Sequence, residues 1–450
     1  MATDKFMYEQ IPTDDCRSRR CLAGLWALTI LLAGILLYPD TYADAGLRLG
    51  SLRLSPLSLV FAVTAPPIVY FIFSARKKLT LSLLDAVLIG TSLFLVTRGL
   101  LAVSNPNAAA LLLAYFAYAG VAYYGSATLA QNAAARRVLF TALVVLSLII
   151  AVYAMIEFLF NRNFLFADIT SEKVPIKNAD FHRSGSTLGH PTALGMLMVQ
   201  ALPFLLLFFV ESRNLGKKTL WGLGILAVVM ALIVSFAKGS WITAGLLGLA
   251  AIIWLVKSQI KHKWTYMSLA IAVVMVSGSV MLMFYNTLKF NVLSETRQNE
   301  SFNTRIILWE KGAQNFLAHP LFGVGLQQGG AAIFKENFTA EEQEIMEGKA
   351  LPVDNLYLTI FVEGGIVGAA LVLLAACLLL KNMAAAAKSS EELRMWLVPA
   401  AISMAAVLIN GMTIDSLLFW PAMVVFWLCA GLFRAISEVN NAGLNGSLKS

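Results

Sequence analysis

Arg305-Ile-Ile-Leu-Trp-Glu-Lys-Gly-Ala-Gln-Asn-Phe-Leu-Ala318 runs into His319-Pro320-Leu321-Phe322-Gly323-Val324-Gly325; further on, Asp354-Asn355-Leu356-Tyr357 opens onto Phe361-Val362-Glu363-Gly364-Gly365-Ile366-Val367-Gly368. The first piece is amphipathic, the second a tight glycine-rich turn, and the third a polar start to an apolar run. Together with a polar break over Asn286 to Thr304, they form the longest polar interruption in the chain, Asn286 to Pro352. Nearly everything on either side is apolar enough to lie in lipid. The chemistry of the chain is therefore expected under this loop.

Hydrophobic residues make up 58% of the 450 residues and charged residues only 13%, about half the charged share of a soluble domain, roughly 25%. A mean hydropathy of +0.73 is incompatible with one buried core beneath a polar surface. Apolar runs long enough for about 30 Å of hydrocarbon fall at 22–39, 55–74, 82–103, 107–128, 138–160, 190–210, 219–237, 240–256, 265–285, 353–380, 396–414 and 416–434. The expectation is an all-α, polytopic integral membrane protein, a single membrane domain over 1–450, with about twelve transmembrane helices and one large extracytoplasmic loop at 286–352. A first, shorter extracytoplasmic loop is expected at 161–189. The runs on either side of Lys238 also read as one broken helix.

Orientation follows from the basic residues. With the N-terminus inside, 20 of the 34 Lys and Arg fall in inner segments, and every inner connection is basic, so both termini are expected in the cytoplasm. The net charge of +8 thus reflects membrane orientation and gives no case for nucleic acid. Ala43-Asp44-Ala45 resembles a cleavage site, but the long first segment carries Asp4, Glu9, Asp14 and Asp15, which favours a retained anchor. Cys16, Cys21, Cys377 and Cys429 all fall outside the outer loops; no disulfide framework is expected, and Cys16 and Cys21 read as reduced or lipid-modified. Within the large loop, Thr339-Ala340-Glu341-Glu342 matches a capping box before a short surface helix.

Charges near the outer face are the candidates for function. Arg183 stands in Arg183-Ser184-Gly185-Ser186-Thr187-Leu188-Gly189-His190-Pro191, where small residues permit close approach and the guanidinium suits phosphate oxygens; an ordinary interfacial arginine is the alternative. Lys238 lies between two apolar runs, as a ligand for an anion or as a snorkelling side chain. Arg98 has the same ambiguity. Arg305 begins the amphipathic segment, and Asp354 lies where the chain re-enters the bilayer. An aspartate there serves as a proton acceptor beside arginines or as a helix N-cap. Glu363 is a second acid in the same apolar run.

In order, Arg183…Gly189-His190-Pro191, Lys238-Gly239, Arg305…Trp309…His319-Pro320-Leu321-Phe322-Gly323-Val324-Gly325 and Asn355…Glu363-Gly364-Gly365…Gly368 resemble the O-antigen ligase and polysaccharide polymerase family. That family also contains O-linked protein oligosaccharyltransferases, and the resemblance covers about 160 to 440. It implies a metal-independent, inverting glycosyltransferase without cofactors at the periplasmic face of the bacterial inner membrane. The donor would be an oligosaccharide on a polyprenyl diphosphate carrier in the lipid bilayer. Candidate protein partners are a chain-length regulator and export proteins. Asp354 and Arg305 would be catalytic, and Arg183, Lys238, His190, His319, Asn355 and Glu363 would bind substrate. No metal-ligand cluster is visible in the outer loops. Two departures stand out: Ala237-Lys238 replaces the usual Ser-Arg, and Asp354 replaces the histidine typical of ligases. The second tilts the reading toward a polymerase, with ligation to lipid A core or to protein as the alternatives. A transporter of lipid-linked sugar would need polar residues deep in several helices, which the apolar runs do not supply.

The topology is testable directly. In a cysteine-free background, cysteine at Gln328 should react with an impermeant maleimide from outside, and cysteines at Ser212 and Gln259 should be protected until the membrane is opened. Labelling at Ser212 in intact spheroplasts would overturn the twelve-span arrangement.

Overall fold

A computed structural model describes residues 19–38, 47–49, 52–54, 56–75, 82–102, 106–165, 173–176, 179–258, 295–326 and 353–447. The helices are α1 (Arg19–Leu37), α2 (Pro56–Ala75), α3 (Leu83–Ala102), α4 (Pro106–Leu129), α5 (Ala133–Phe160), α6 (Pro191–Glu211), α7 (Leu215–Val234), α8 (Lys238–Ser258), α9 (Glu295–Ala318), α10 (Leu356–Ala386), α11 (Glu391–Asn410) and α12 (Trp420–Ser447). Among the described residues, nine of these are long and apolar enough to cross a membrane, and α4 and α8 fall on two further expected runs. The remaining run, 265–285, and the expected capping box at Thr339 lie outside the described residues. The fold is all-helical as expected. Two short antiparallel hairpins accompany it: β1 (Leu47–Leu49) with β2 (Leu52–Leu54), and β3 (Lys173–Ile176) with β4 (Ala179–His182).

The helices start where the sequence supplies a cap. The side chains of Asn132, His190, Asn214 and Asn355 accept backbone N–H groups of the first turns of α5, α6, α7 and α10, satisfying donors that have no intrahelical partner. Pro191 occupies the first turn of α6, where its missing N–H costs nothing. Chain reversal at Ser235–Ala237 separates α7 from α8, so the runs around Lys238 are two helices. At the centre, α12 packs along α4 so closely that a Cβ on Gly431 would lie 2.3 Å from the Tyr123 carbonyl oxygen. Val63, Leu101 and Leu159 are largely exposed, as lipid-facing side chains should be.

The polar break departs from expectation: α9 already begins at Glu295 and carries the amphipathic segment to Ala318. It runs beside α10 in the same direction. Arg305 faces Asp354, Gly312 meets Val353 and Leu358, and Phe316 packs on Phe361 with ring centroids 5.5 Å apart. The glycine-rich turn therefore reaches as far along α10 as Gly365, ten residues or about 15 Å of helix beyond the Asn355 cap.

There α10 is broken. Gly365 has φ 62 and ψ −166, a conformation essentially confined to glycine. The break cancels the bonds that the N–H groups of Ile366 and Val367 would make to the carbonyls of Val362 and Glu363. Those N–H groups donate instead to the carbonyls of Pro320 and Leu321, at 2.8 and 3.1 Å. The two freed carbonyls accept from the N–H groups of Val324 and Gly325, at 2.9 and 3.0 Å. Arg98 completes the lock, its Nε donating to the Phe322 carbonyl at 3.2 Å and Nη2 to that of Gly323 at 2.8 Å. Irregular backbone at this level of an apolar helix is tolerated only with its polar groups satisfied.

One finding reverses the cysteine reading: Cys21 is disulfide-bonded, with its partner outside the described residues, while Cys377 and Cys429 are free.

A Cβ on Gly365 would lie 2.4 Å from the Leu321 carbonyl oxygen. Gly365→Ala should cost about 2 kcal/mol or more in strain, read as a lower unfolding midpoint in detergent. Gly90→Ala in α3, where a Cβ has nothing within 4 Å, should be neutral or stabilising. Equal midpoints for the two variants would contradict the interlock.

Candidate functional site

The stretch after β4 is fixed from three sides. Ser184 donates through its N–H to the Val234 carbonyl and through Oγ to that of Ala154, at 3.1 and 2.9 Å. Ser186 Oγ reaches the Ile150 carbonyl and Thr187 Oγ1 that of Leu36. Beneath it, buried Glu157 of α5 accepts the Ser186 N–H at 2.7 Å and also bonds the Gly185 N–H. Arg183 thus projects from an immobilised backbone. Its Nε and Nη2 donate to the carbonyls of Ser235 and Phe236, both at 3.4 Å.

Those carbonyls belong to the corner that presents Lys238 as the first residue of α8. Lys238 is exposed and interacts electrostatically with both Arg183 and Arg305. Three cations from separate parts of the chain therefore share one field. Like charges held together raise one another's energy. Opposite them, Arg305 Nε stands 3.7 Å from Asp354 Oδ2, with the two side chains 37% and 27% exposed. Burial pushes the Asp354 carboxyl above its ordinary range, and neighbouring Arg305 pulls it only part of the way back. A carboxylate with raised proton affinity beside a cation suits proton transfer.

The open question of the helix cap is answered by geometry. Asn355, not Asp354, caps α10: its Oδ1 accepts the N–H groups of Tyr357 and Leu358, each at 3.1 Å. Its Nδ2 donates to the Met412 carbonyl at 3.2 Å. Asp354 sits just before the cap with a left-handed φ of 56, leaving its carboxylate available for another role.

The other sequence candidates lie farther off. His190 caps α6 through Nδ1 and packs its ring against Phe419, centroids 5.1 Å apart. His319 is exposed at the far end of α9, fourteen residues or about 21 Å of helix from Arg305. Glu363 is buried in α10 near the interlock and couples electrostatically to Tyr115 of α4. Sequence reading overlooked Glu157 and Asp415. Asp415 is the acid in the short polar link between the last two apolar runs, and reading that link as an outer loop would have found it.

These features belong to a multi-pass membrane protein in which Lys238 shares a field with Arg183 and Arg305 and Arg305 stands beside Asp354. Residues 223–373, about a third of the chain, match the family model described as O-Antigen ligase. No curated protein matches the chain. The match runs from α7 to the middle of α10 and includes Lys238, Arg305, Asp354, Asn355 and the interlocked turn. It supports the O-antigen ligase and polymerase family, and glycosyl transfer of that general type.

Asn355→Ala should lower stability by about 1 kcal/mol. Asp354→Asn should leave the unfolding midpoint unchanged or raised. An acid whose proton affinity rises on folding costs stability above its ordinary titration range, and asparagine removes that cost while tolerating the left-handed backbone. Thermal unfolding in detergent reads both, and a larger loss in Asp354→Asn would return the capping role to Asp354.

Proposed function

We propose that the protein transfers or polymerises glycan from a polyprenyl diphosphate carrier at the outer face of the bacterial inner membrane. The observation that carries this reading is the placing of Lys238 in the field of both Arg183 and Arg305, with Arg305 beside Asp354. Each group has a task in a single displacement. Asp354 accepts the proton of the acceptor hydroxyl as its oxygen bonds to the anomeric carbon. The bond from that carbon to the diphosphate oxygen breaks, and the leaving diphosphate keeps the electron pair. Its growing negative charge falls among the three cations, which are already in place and need no reorganisation. One displacement inverts the anomeric carbon, and fixed cations supply the charge stabilisation without calling on a metal.

Asparagine at 355 contributes by fixing the start of α10, and Glu157 by holding the Arg183 backbone. The aspartate at 354, where ligases of the resembled family carry histidine, favours a growing glycan chain as acceptor. A chain-length regulator and export proteins are the partners such a polymerase would take. Transfer to lipid A core or to a protein hydroxyl uses the same chemistry and is distinguished by offering those acceptors side by side.

Arg183→Ala and Arg305→Ala should each lower glycan transfer at least tenfold, about 1.4 kcal/mol of transition-state stabilisation, with normal membrane insertion. Asp354→Asn should abolish transfer, and Asp354→His should retain part of it. In the wild type, activity should fall as pH drops through the raised Asp354 titration, because protonation removes the base. The assay uses purified protein with lipid-linked oligosaccharide extracted from the producing cells. Full activity in Asp354→Asn removes the base assignment, and full activity in either arginine variant removes that residue from the site.

A further inference from the structure

Asp415 lies in the link between α11 and α12 and is 2% exposed. Thr359 Oγ1 donates to its Oδ1 at 2.6 Å, while Oδ2 is buried and has no hydrogen-bond partner; the backbone N–H groups of Asp354 and Asn355 lie near enough to favour its charged form. The same link supplies two more ties to this turn: the Gly411 carbonyl accepts the Leu356 N–H at 2.8 Å, and the Met412 carbonyl accepts from Asn355 Nδ2. The start of α10 is thus bound to the α11–α12 link at three positions, 355, 356 and 359. Asp354 needs such restraint, since a non-glycine residue holds a left-handed φ only when its surroundings impose it.

We propose that Asp415 is the positioning residue for Asp354, holding the first turn of α10 through Thr359 so that the Asp354 carboxylate at its start faces Arg305, and placing a second carboxyl close to that pair. The inference rests on Asp354 acting as the base. The charge of Asp354 acts on Asp415, so the two carboxyls lie close enough to interact. An added negative charge offsets part of the pull of Arg305 and keeps Asp354 a competent proton acceptor.

Stability gives independent support. Burial, the largest influence, pushes the Asp415 carboxyl up to about 6. Between its ordinary range near 3.8 and about 6, the folded chain binds more protons than the unfolded one. Stability therefore falls as pH rises through that window, and the loss persists at neutral pH. A residue needed only to tie two segments together would serve better as asparagine, which accepts the Thr359 hydrogen bond without a charge.

The experiment compares Asp415→Asn, Thr359→Val and Asp354→Asn with wild type in the transfer assay and in thermal unfolding. Asp415→Asn should lower kcat at least tenfold, change KM for the lipid-linked donor less than threefold, and leave the unfolding midpoint equal or higher. Thr359→Val, which removes the hydroxyl but keeps the shape, should lower kcat three- to tenfold with the same KM. Parallel loss of activity and stability in Asp415→Asn would reduce the residue to a structural tie and overturn the inference. So would wild-type kcat in Asp415→Asn while Asp354→Asn is inactive, a result that leaves the base assignment standing. An active Asp354→Asn would instead overturn the base assignment and this inference with it.

Discussion

The structure depends on an exchange of four backbone hydrogen bonds between a broken helix and a glycine-rich turn. At Gly365, α10 gives up two bonds of its own, and the turn at His319–Gly325 supplies the same number of donors and acceptors in return. An unsatisfied backbone group in apolar surroundings costs several kcal/mol, so neither partner is stable alone. Because α9 leads directly into the turn, the exchange also fixes α9 along α10. Trp309 and Phe316 then pack against the small cluster of Val353 and Val362, and Arg305 comes to rest opposite Asp354. A backbone constraint some five turns away thereby sets the geometry of a charged site.

The site itself opposes stability. Cations drawn from three parts of the chain are held within one another's field, and two acids in the same region have their proton affinities raised by burial. Mutual repulsion and desolvation are both unfavourable in the empty protein. A bound anion would relieve the repulsion among the cations. Strain of this kind is characteristic of functional sites, and Lys238, Arg305 and Asp354 lie within the segment that matches the O-Antigen ligase family model.

Much of this was legible in the sequence. The apolar runs locate eleven of the described helices because the length of a membrane helix is set by the bilayer, although α10 and α12 continue past the expected ends at 380 and 434 to Ala386 and Ser447. Arg183 and Lys238 stand out as charges beside glycines, and Arg305 and Asp354 as charges in and just after the large polar stretch; the structure sets Lys238 in the field of both arginines and Arg305 beside Asp354. The start of α9 was hidden because its first ten residues are polar and carry no hydrophobic period. Asp354 and Asn355 are both good capping residues, so composition alone left the cap open; the backbone angles decide it. The turn's engagement with α10 was invisible because it is made by backbone groups, which leave no side-chain signature beyond the glycines. Asp415 went unnoticed as a single acid in a short link whose partner lies some sixty positions earlier in the chain.

The most direct measurement is the reaction of the unmodified protein in a defined bilayer. Purified protein in nanodiscs is given lipid-linked oligosaccharide extracted from the producing cells, and both the glycan and the carrier are followed by mass spectrometry. The account predicts that one polyprenyl diphosphate is released for each oligosaccharide added to an acceptor, with inversion at the transferred anomeric carbon. A donor that stays intact with every acceptor supplied, or a product that retains the anomeric configuration, would contradict it.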